Sequence, residues 1–247
     1  MKIALGIIGG EDPNQPPITD NLLWRADAQQ IEADANDPIE FFGGHGGSEK
    51  EPAVQETLAA RPTFDPDVQG TGLPGLALDG SQWYLLPDGM RLQGSSPLTI
   101  YMVVTRTVRN LSAVWLSWRN VDPSNYAYNV QQITIGRIQG HLGGDYTGLS
   151  ADDAWPNGRN VVTLEGQGAG NPYGMWVGEG QIHSRTTGSL ILDTEDEPIL
   201  FARDGASGVE VATEGFAHEV IVYTEHHDAE QRATIWAWLA ERWSLTL

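Results

Sequence analysis

The chain has 247 residues, with 29 glycines, 14 prolines and no cysteine, and its 14 basic and 33 acidic residues give a formal charge of −19. This charge opposes binding to phosphate backbones and anionic lipid, and the lack of cysteine excludes disulfides, thiol catalysis and thiolate metal sites. No apolar run reaches the roughly 18 residues that indicate a membrane-spanning helix. The sequence therefore predicts neither a nucleic-acid partner nor insertion into a membrane.

Residues 1–20 are predicted to form an N-terminal arm, separate from a domain that spans residues 21–247. The apolar run at 3–10 has no small-x-small cleavage site and leads into acidic residues, so it does not fit a signal peptide. The three prolines between residues 11 and 20 favour an extended linker. The glycine-rich stretch around His45 lacks the Lys-Ser/Thr of a phosphate-binding loop and is predicted to be a mobile loop.

Short apolar segments separated by turn residues follow, which is typical of an antiparallel sandwich rather than of βαβ units. Asp79-Gly80 favours a hairpin turn between the segments on either side of it. About ten strands are predicted, at residues 21–28, 76–78, 83–86, 98–104, 114–118, 126–138, 161–164, 173–183, 199–202 and 216–223.

One helix is predicted at the C-terminus. Asp228 is in position to cap it, and Gln231 to complete a capping box. Apolar residues then recur at spacings of three and four, which predicts a stripe that packs on the sandwich. The stripe consists of Ala229, Ala233, Trp236, Leu239, Ala240 and Trp243.

Four ordered blocks of sequence resemble a known family. They are LLWRADA at 22–28, ARPTF at 60–64 with GLALDGS at 75–81, LTIYMVV at 98–104, and EVIVY at 219–223 with DAEQR at 228–232 and LAERWSL at 239–245. The blocks resemble the laminin-G-like branch of the concanavalin A-like lectin/glucanase jelly rolls, common in secreted and phage-particle proteins. The resemblance implies an all-β jelly-roll sandwich of two antiparallel sheets with one C-terminal helix.

The blocks also place an acidic residue, Glu219, in an apolar strand. A buried carboxylate needs a partner. Arg61, held extended before a proline, is the predicted partner, and the contact is interpreted as structural rather than catalytic.

Glucanases of this fold carry acidic residues at alternating positions of one strand, so that both side chains share a sheet face. Glu210 and Glu214 have the spacing of the outer pair, but Ala212 stands where the middle Asp is expected. The acidic run at 193–197 is better interpreted as a solvated turn, and no Gly-x-Ser-x-Gly elbow is present. We therefore predict that the protein is not an enzyme, and a glycan-cleaving hydrolase is the alternative.

No metal site or cofactor is predicted. His226 and His227 abut the helix start and with Asp228 could hold a metal ion, but a cap-and-surface interpretation is favoured. Oxygens of Asp145, Asp152 and Asp153 could bind calcium, although the dense spacing of a calcium loop is absent. Calcium is therefore kept as an alternative.

The middle of the chain sets aromatic residues among Gly, Asn and Asp. Sugar binding needs a flat aromatic face together with amide or carboxylate oxygens for the hydroxyls, and the loops around 145–157 offer both. Trp155 is the predicted stacking residue, and the alternative is an ordinary core residue. The candidate ligand-binding residues are Trp155, Asp153, Asn157, Asp145, Tyr146 and Tyr173.

The family resemblance implies a recognition scaffold. We expect a non-enzymatic carbohydrate-recognition or adhesion module, most simply a spike, fibre or tail component of a phage or phage-like particle that binds host surface polysaccharide. The N-terminal arm would contact other particle proteins and support an oligomer at the extracellular particle surface. The alternatives are the hydrolase and a purely structural decoration protein.

Overall fold

The structure, a computed structural model, describes residues 14–90, 97–107, 113–119, 126–133, 137–142, 145–149, 155–167, 172–186, 198–205, 208–211 and 213–246. These residues form antiparallel strands and one α-helix, α1, at Ala229–Trp243. The strands are β1 (Leu22–Asp27), β2 (Phe41–Phe42), β3 (Ala53–Val54), β4 (Thr63–Asp65), β5 (Gly75–Asp79), β6 (Tyr84–Leu85), β7 (Leu98–Arg106), β8 (Ala113–Arg119), β9 (Tyr126–Ile133), β10 (Arg137–Leu142), β11 (Asp145–Leu149), β12 (Gly158–Gly166), β13 (Pro172–Val177), β14 (Gly180–Thr186), β15 (Ile199–Leu200), β16 (Ala202–Gly205), β17 (Gly208–Val211) and β18 (Glu214–Tyr223). Short 3-10 helices lie at Ala28–Gln30, Leu58–Ala60, Val68–Gly70 and Asp88–Met90.

Two antiparallel sheets form the sandwich, as the sequence predicts, and each contains eight of the described strands. The helix-side sheet has the order β14-β13-β12-β7-β18-β5-β4, and β1 pairs with the part of β18 that β5 leaves free. The far sheet has the order β11-β10-β9-β8-β15-β6-β3-β2. A separate pair, β16-β17, completes the described strands.

Strand β7 shows how the two layers of core arise. Its residues alternate between faces, as the twofold period of a strand requires. Ile100, Met102 and Val104 join the core between the sheets, whereas Tyr101 and Val103 join a second core beneath α1. The helix-side sheet is therefore buried on both faces where the helix covers it.

The start of α1 confirms the predicted capping box. The Asp228 carboxylate accepts hydrogen bonds from the backbone N–H groups of Glu230 and Gln231, both at 2.9 Å. The Gln231 side chain in return accepts from the Asp228 N–H at 2.9 Å. The helix ends at Ser244, whose φ of 50° lies in the left-handed region.

The buried face of α1 differs from the predicted stripe in its first turn. The buried residues are Ile235, Trp236, Leu239 and Trp243. Ala229 and Ala233 are exposed, so the predicted stripe is wrong at these two positions. The first turn overhangs a polar pocket at the sheet edge, and the helix meets the apolar face only from Ile235 onward.

The Asp79-Gly80 turn forms, but not as a hairpin. Gly80 has the positive φ, 95°, that favours glycine. The strand before the turn, β5, belongs to the helix-side sheet, and the strand after it, β6, belongs to the far sheet. The turn therefore carries the chain from one layer of the sandwich to the other.

The partner of Glu219 is Arg25, not the predicted Arg61. Arg25 Nε lies 2.6 Å from Glu219 Oε1, because β1 pairs directly beside this part of β18. Arg25 also pairs with Asp27, and Arg242 of α1 contacts both carboxylates. We call Arg25, Asp27, Glu219 and Arg242 the buried ion cluster. Arg61 instead pairs with Glu40 at 2.7 Å.

The glycine-rich stretch around His45, predicted to be a mobile loop, packs on β1. The His45 N–H donates to the Arg25 carbonyl, and its Nδ1 accepts from the Asp27 N–H, both at 3.1 Å. Gly43, with a φ of 110°, lies against the Trp24 ring, where a Cβ would come within 2.1 Å of Cζ2. Glycine is thus required for this close approach.

The end of the predicted arm lies against the domain. The carbonyl of Asn14 accepts a hydrogen bond from Arg25, and its side-chain oxygen accepts one from Arg242 at 3.1 Å. The Ile18 carbonyl accepts from the Tyr223 hydroxyl at 2.9 Å. Asn14 therefore contacts the buried ion cluster and Ile18 contacts β18, while residues 1–13 lie outside the described part of the chain. The one described helix is too short and too polar to cross a membrane.

Candidate functional site

The structure distributes over both sheets the five described residues among the six that the sequence singled out for ligand binding. Asp145 and Tyr146 belong to β11, the outermost strand of the far sheet. Asn157 is exposed just before β12, and Tyr173 lies in β13 of the helix-side sheet. Asp153 is outside the described residues.

Trp155 is a core residue, which is the alternative that the sequence left open. Its side chain is fully buried, and its ring centroid lies 5.7 Å from that of Trp115. Both rings belong to the core between the two sheets. The expectation of an exposed indole for stacking on a sugar is corrected, because the flanking Asp, Pro and Gly gave no information on where the ring points.

Asn157 and Tyr173 lie beside opposite ends of strand β12. Asn157 precedes Gly158, the first residue of β12, whereas Tyr173 pairs with Gly166, the last. Eight steps of about 3.3 Å place the two ends of β12 about 26 Å apart. These two predicted residues therefore cannot contact one small ligand.

A polar pocket lies where α1 begins, at the open edge of the helix-side sheet. It has a volume of about 310 Å³, and we call it the Arg232 pocket. Strands β12, β13 and β14 supply its floor, and the loop before α1 and the first turn of α1 supply its wall. The lining residues are Glu165, Gln167, Gly174, Trp176, Gln181, Ser184, His226, Asp228, Ala229 and Arg232.

Gly174 makes room for the Trp176 ring in the floor of this pocket. It sits two residues before Trp176 on the same face of β13, and a Cβ on it would lie 2.1 Å from Trp176 Cη2. The Trp176 ring thus folds back over the glycine. Arg232 stacks above this ring, with its guanidinium carbon 4.4 Å from the ring centroid. Such contacts hold a guanidinium in a fixed plane.

Among the described residues, only one nitrogen of the Arg232 guanidinium has hydrogen-bond partners. Its Nη1 donates to Glu165 Oε2 at 2.5 Å and to the His227 carbonyl at 2.8 Å. Nε is buried and has no partner among the described residues, and Nη2 makes no hydrogen bond with them. The Nε–Nη2 edge is the geometry that binds a carboxylate through two parallel hydrogen bonds.

Glu165 and His226 form the polar cluster beside Arg232 in the pocket. Glu165 Oε1 lies 3.3 Å from His226 Nε2, and Gln167 Nε2 lies 3.1 Å from the same nitrogen. Burial raises the pKa of Glu165, and the charge of Arg232 opposes this shift. The pocket therefore offers a guanidinium edge, amides and the Ser184 hydroxyl within one small volume.

Sequence reasoning missed this pocket because Arg232 does not belong to the predicted apolar stripe of the helix. The available signal was Gly174 within an apolar strand, since an isolated strand glycine often marks a close approach of another group. Its neighbour on the same face, Trp176, identifies that group.

The candidate acidic pair of Glu210 and Glu214 is divided between two strands. Glu210 lies in β17 and Glu214 begins β18, so the two carboxylates do not share a strand. The acidic run at 193–197 lies outside the described residues. Glu210 and Glu214 therefore do not form the paired acids of a glucanase.

The two histidines before α1 point to different partners. His227 is buried, with Nδ1 2.8 Å from the Tyr101 hydroxyl, whereas His226 faces Glu165. The predicted surface position is therefore wrong for His227, whereas the predicted role of Asp228 as the helix cap is confirmed. Among the described residues no group of three or more His, Asp or Glu side chains could hold a metal ion. Asp152 and Asp153 lie outside them, so the calcium alternative stays a prediction.

Comparison with known proteins shows the fold. No family model and no curated protein matches the chain. Among solved structures, a carbohydrate-binding module (CBM40) of the Ruminococcus gnavus IT-sialidase, bound to α2,3-sialyllactose, superposes with a TM-score of 0.52 at 14% identity, covering 65% of this chain and 95% of the module.

Two whole sialidases are also similar over part of their length. The K499G mutant of NanB sialidase from Streptococcus pneumoniae gives a TM-score of 0.54 at 16% identity, covering 65% of this chain and 27% of that enzyme. Trypanosoma rangeli sialidase in complex with sialic acid gives a TM-score of 0.57 at 10% identity, covering 91% of this chain and 34% of that enzyme. The chain thus spans only about a third or less of these enzymes. At such low identity the likeness shows that this chain has the β-sandwich fold of these proteins.

Proposed function

We propose that this protein is a non-enzymatic carbohydrate-recognition module that binds an acidic sugar in the Arg232 pocket. The observation that carries the proposal is the Nε–Nη2 edge of Arg232, which makes no hydrogen bond with the described residues. A buried donor without a partner costs about 1–3 kcal/mol, and a ligand carboxylate would remove this cost. Bidentate pairing with a planar carboxylate also fixes the orientation of the ligand.

The rest of the pocket suits the hydroxyl and amide groups of a sugar. Gln181 and Ser184 line its open side on β14, and Gln167 lies at the end of β12. Structural neighbours of this chain include a module bound to sialyllactose and an enzyme bound to sialic acid, and both ligands carry a carboxylate. These likenesses support a sialylated glycan as the ligand class.

The net charge of −19 does not prevent this interaction. Charges more than about 8 Å apart are largely screened at physiological ionic strength, whereas a paired carboxylate lies within hydrogen-bonding distance of Arg232. We therefore expect the local guanidinium to determine affinity and the distant acidic residues to slow association.

Two features favour binding over hydrolysis. Among the described residues, the carboxylates that line the Arg232 pocket are Glu165 and Asp228, and both are engaged by the protein. Glu165 pairs with Arg232, and Asp228 caps the helix. Neither is left available as a nucleophile or as a general base for water.

The proposal is tested by titrating 3′-sialyllactose and lactose into the wild type and Arg232→Gln. We expect saturable binding of sialyllactose, much weaker binding of lactose, and a loss of at least tenfold (~1.4 kcal/mol) in the variant. Arg61→Gln is the control, because Arg61 is a partly exposed arginine paired with Glu40. Equal affinity of the wild type and Arg232→Gln would refute the site, and release of sialic acid by the wild type would refute the non-enzymatic assignment.

We further propose that the module works at the extracellular surface of a phage or phage-like particle and joins its oligomer through the N-terminal arm. This part is supported by the sequence blocks, which resemble a family that is common in secreted and phage-particle proteins. Deletion of residues 1–13 leaves the contacts of Asn14 and Ile18 intact. The shortened protein should keep its melting temperature but lose oligomers in light scattering. An unchanged oligomeric state would exclude the arm as the assembly element.

A further inference from the structure

A second cavity lies on the outer face of the helix-side sheet, beyond the part that α1 covers. It has a volume of about 470 Å³, and we call it the Ala77 groove. Its lining residues come from β4, β5 and β18 and from the segments that adjoin β5 and β7. They are Thr63, Ala77, Leu78, Asp79, Gln82, Thr107, Glu214, Gly215 and Phe216.

The shape of the groove follows from the strand register. Thr63, Ala77 and Phe216 are directly paired across three neighbouring strands, so they form one row. The methyl group of Ala77 lies between the longer Thr63 side chain and the Phe216 ring. This leaves a depression above Ala77, and the Phe216 ring forms its flat apolar wall. All three residues are partly exposed.

A pair of carboxylates forms the rim of this depression. Asp79 and Glu214 are also direct cross-strand partners, two residues along from Ala77 and Phe216 and therefore on the same face. Asp79 accepts hydrogen bonds from the Ser81 hydroxyl at 2.7 Å and its N–H at 3.1 Å. Glu214 makes no hydrogen bond or ion pair with the residues that the structure describes.

The charge of the rim determines which ligands are accepted. Hydrogen bonds from Ser81 lower the pKa of the Asp79 carboxyl, which keeps it ionised and an acceptor at neutral pH. Two like charges on facing residues repel an anion. Hydroxyl groups of an uncharged sugar can donate to both carboxylates, and hydrogen bonds to ionised acceptors are about twice as strong as neutral ones.

We infer that the Ala77 groove is a second carbohydrate-binding site, selective for an uncharged sugar. The apolar face of a pyranose ring packs on Phe216 above Ala77, while its hydroxyls donate to Asp79 and Glu214. Selectivity is opposite to that of the Arg232 pocket, because one site presents carboxylates and the other a guanidinium edge. The inference does not depend on ligand binding at Arg232.

The test uses methyl glycosides of glucose, galactose, mannose and N-acetylglucosamine as probes, with saturation-transfer NMR and calorimetry on the full chain. At least one probe should bind the wild type with a Kd on the order of 1 mM. Glu214→Gln, and Ala77→Leu, which fills the floor, should each weaken binding at least tenfold. Glu241→Gln is the control, because Glu241 is exposed on α1.

The outcomes separate this site from the first one. Arg232→Gln should leave binding of the neutral probe unchanged, and Glu214→Gln should leave binding of sialyllactose unchanged. The inference is overturned if no neutral probe binds at a probe concentration about ten times that Kd. It is also overturned if binding survives both groove substitutions. It is also overturned if EDTA abolishes binding, or if butylammonium binds in the groove and the sugars do not, because the carboxylates would then hold a cation.

Discussion

Gly174→Ala tests how the Arg232 pocket is built. The added methyl carbon would lie 2.1, 2.5 and 3.0 Å from three carbons of the Trp176 ring, whereas ordinary contacts begin at 3.4 Å. The ring must therefore retreat by at least 3.4 − 2.1 = 1.3 Å. Gly174 does not have the positive φ that favours glycine, so backbone strain adds nothing to the cost.

The expected loss of stability follows from the contacts of the displaced Trp176 ring. Overpacking of a core costs about 1–3 kcal/mol. Moving the Trp176 ring also disturbs its stacking with Arg232, which is worth about 0.5–2 kcal/mol. We expect a loss of about 2–4 kcal/mol in the free energy of unfolding, together with weaker sialyllactose binding.

Urea titration followed by tryptophan fluorescence measures this loss. The matched control is Gly180→Ala in the next strand, where a Cβ would meet only the Val177 carbonyl oxygen at an ordinary 3.5 Å. That variant should stay within about 0.5 kcal/mol of the wild type, as surface substitutions usually do. Equal stability of the two variants would refute the packing of Trp176 over Gly174.

Two further substitutions test the packing of the core and the pH dependence of the protein's stability. Trp236→Ala should cost about 3–5 kcal/mol in urea titration, because the ring is 7% exposed and donates a hydrogen bond to Thr163; a cost below about 1 kcal/mol would contradict the helix packing. Burial lowers the pKa of His218 to about 3, so the stability that its neutral form provides is complete above its ordinary pKa of 6.5 and is lost as the pH falls toward 3. The loss should reach about 2 kcal/mol by pH 5, and the stability of His218→Gln, measured at pH 7.5 and 5, should fall by less than that of the wild type. Equal losses in the two proteins would exclude His218 as the titrating group.

Local sequence signals predicted those parts of the fold that local chemistry determines. The capping box depends on residues three apart in the chain, so Asp228 and Gln231 could be recognised directly. The positive φ of Gly80 is likewise a property of one turn. Which sheet the following strand joins depends on distant strands, and here the predicted hairpin was wrong.

Long-range partners could not be read from the sequence for the same reason. An apolar strand with a carboxylate showed that Glu219 needs a cation, but the choice of Arg25 over Arg61 follows from the pairing of β1 with β18. The Arg232 pocket combines residues of three strands with the start of a helix, and its members lie up to 67 residues apart. Trp155 shows that local sequence can also mislead, because its neighbours along the chain are polar although its ring is fully buried.

The buried ion cluster has a consequence for the order of folding. Arg25 is 194 residues from Glu219, and Asp27 is 215 residues from Arg242. At synthesis rates of about 5–20 residues per second, roughly 10–40 s separate the appearance of the two partners of the first pair. Contacts of such high sequence separation form slowly, because a long loop must close before they stabilise it. Since β18 and α1 also supply Phe216, Glu214 and Arg232, both pockets are completed only when the last part of the domain docks.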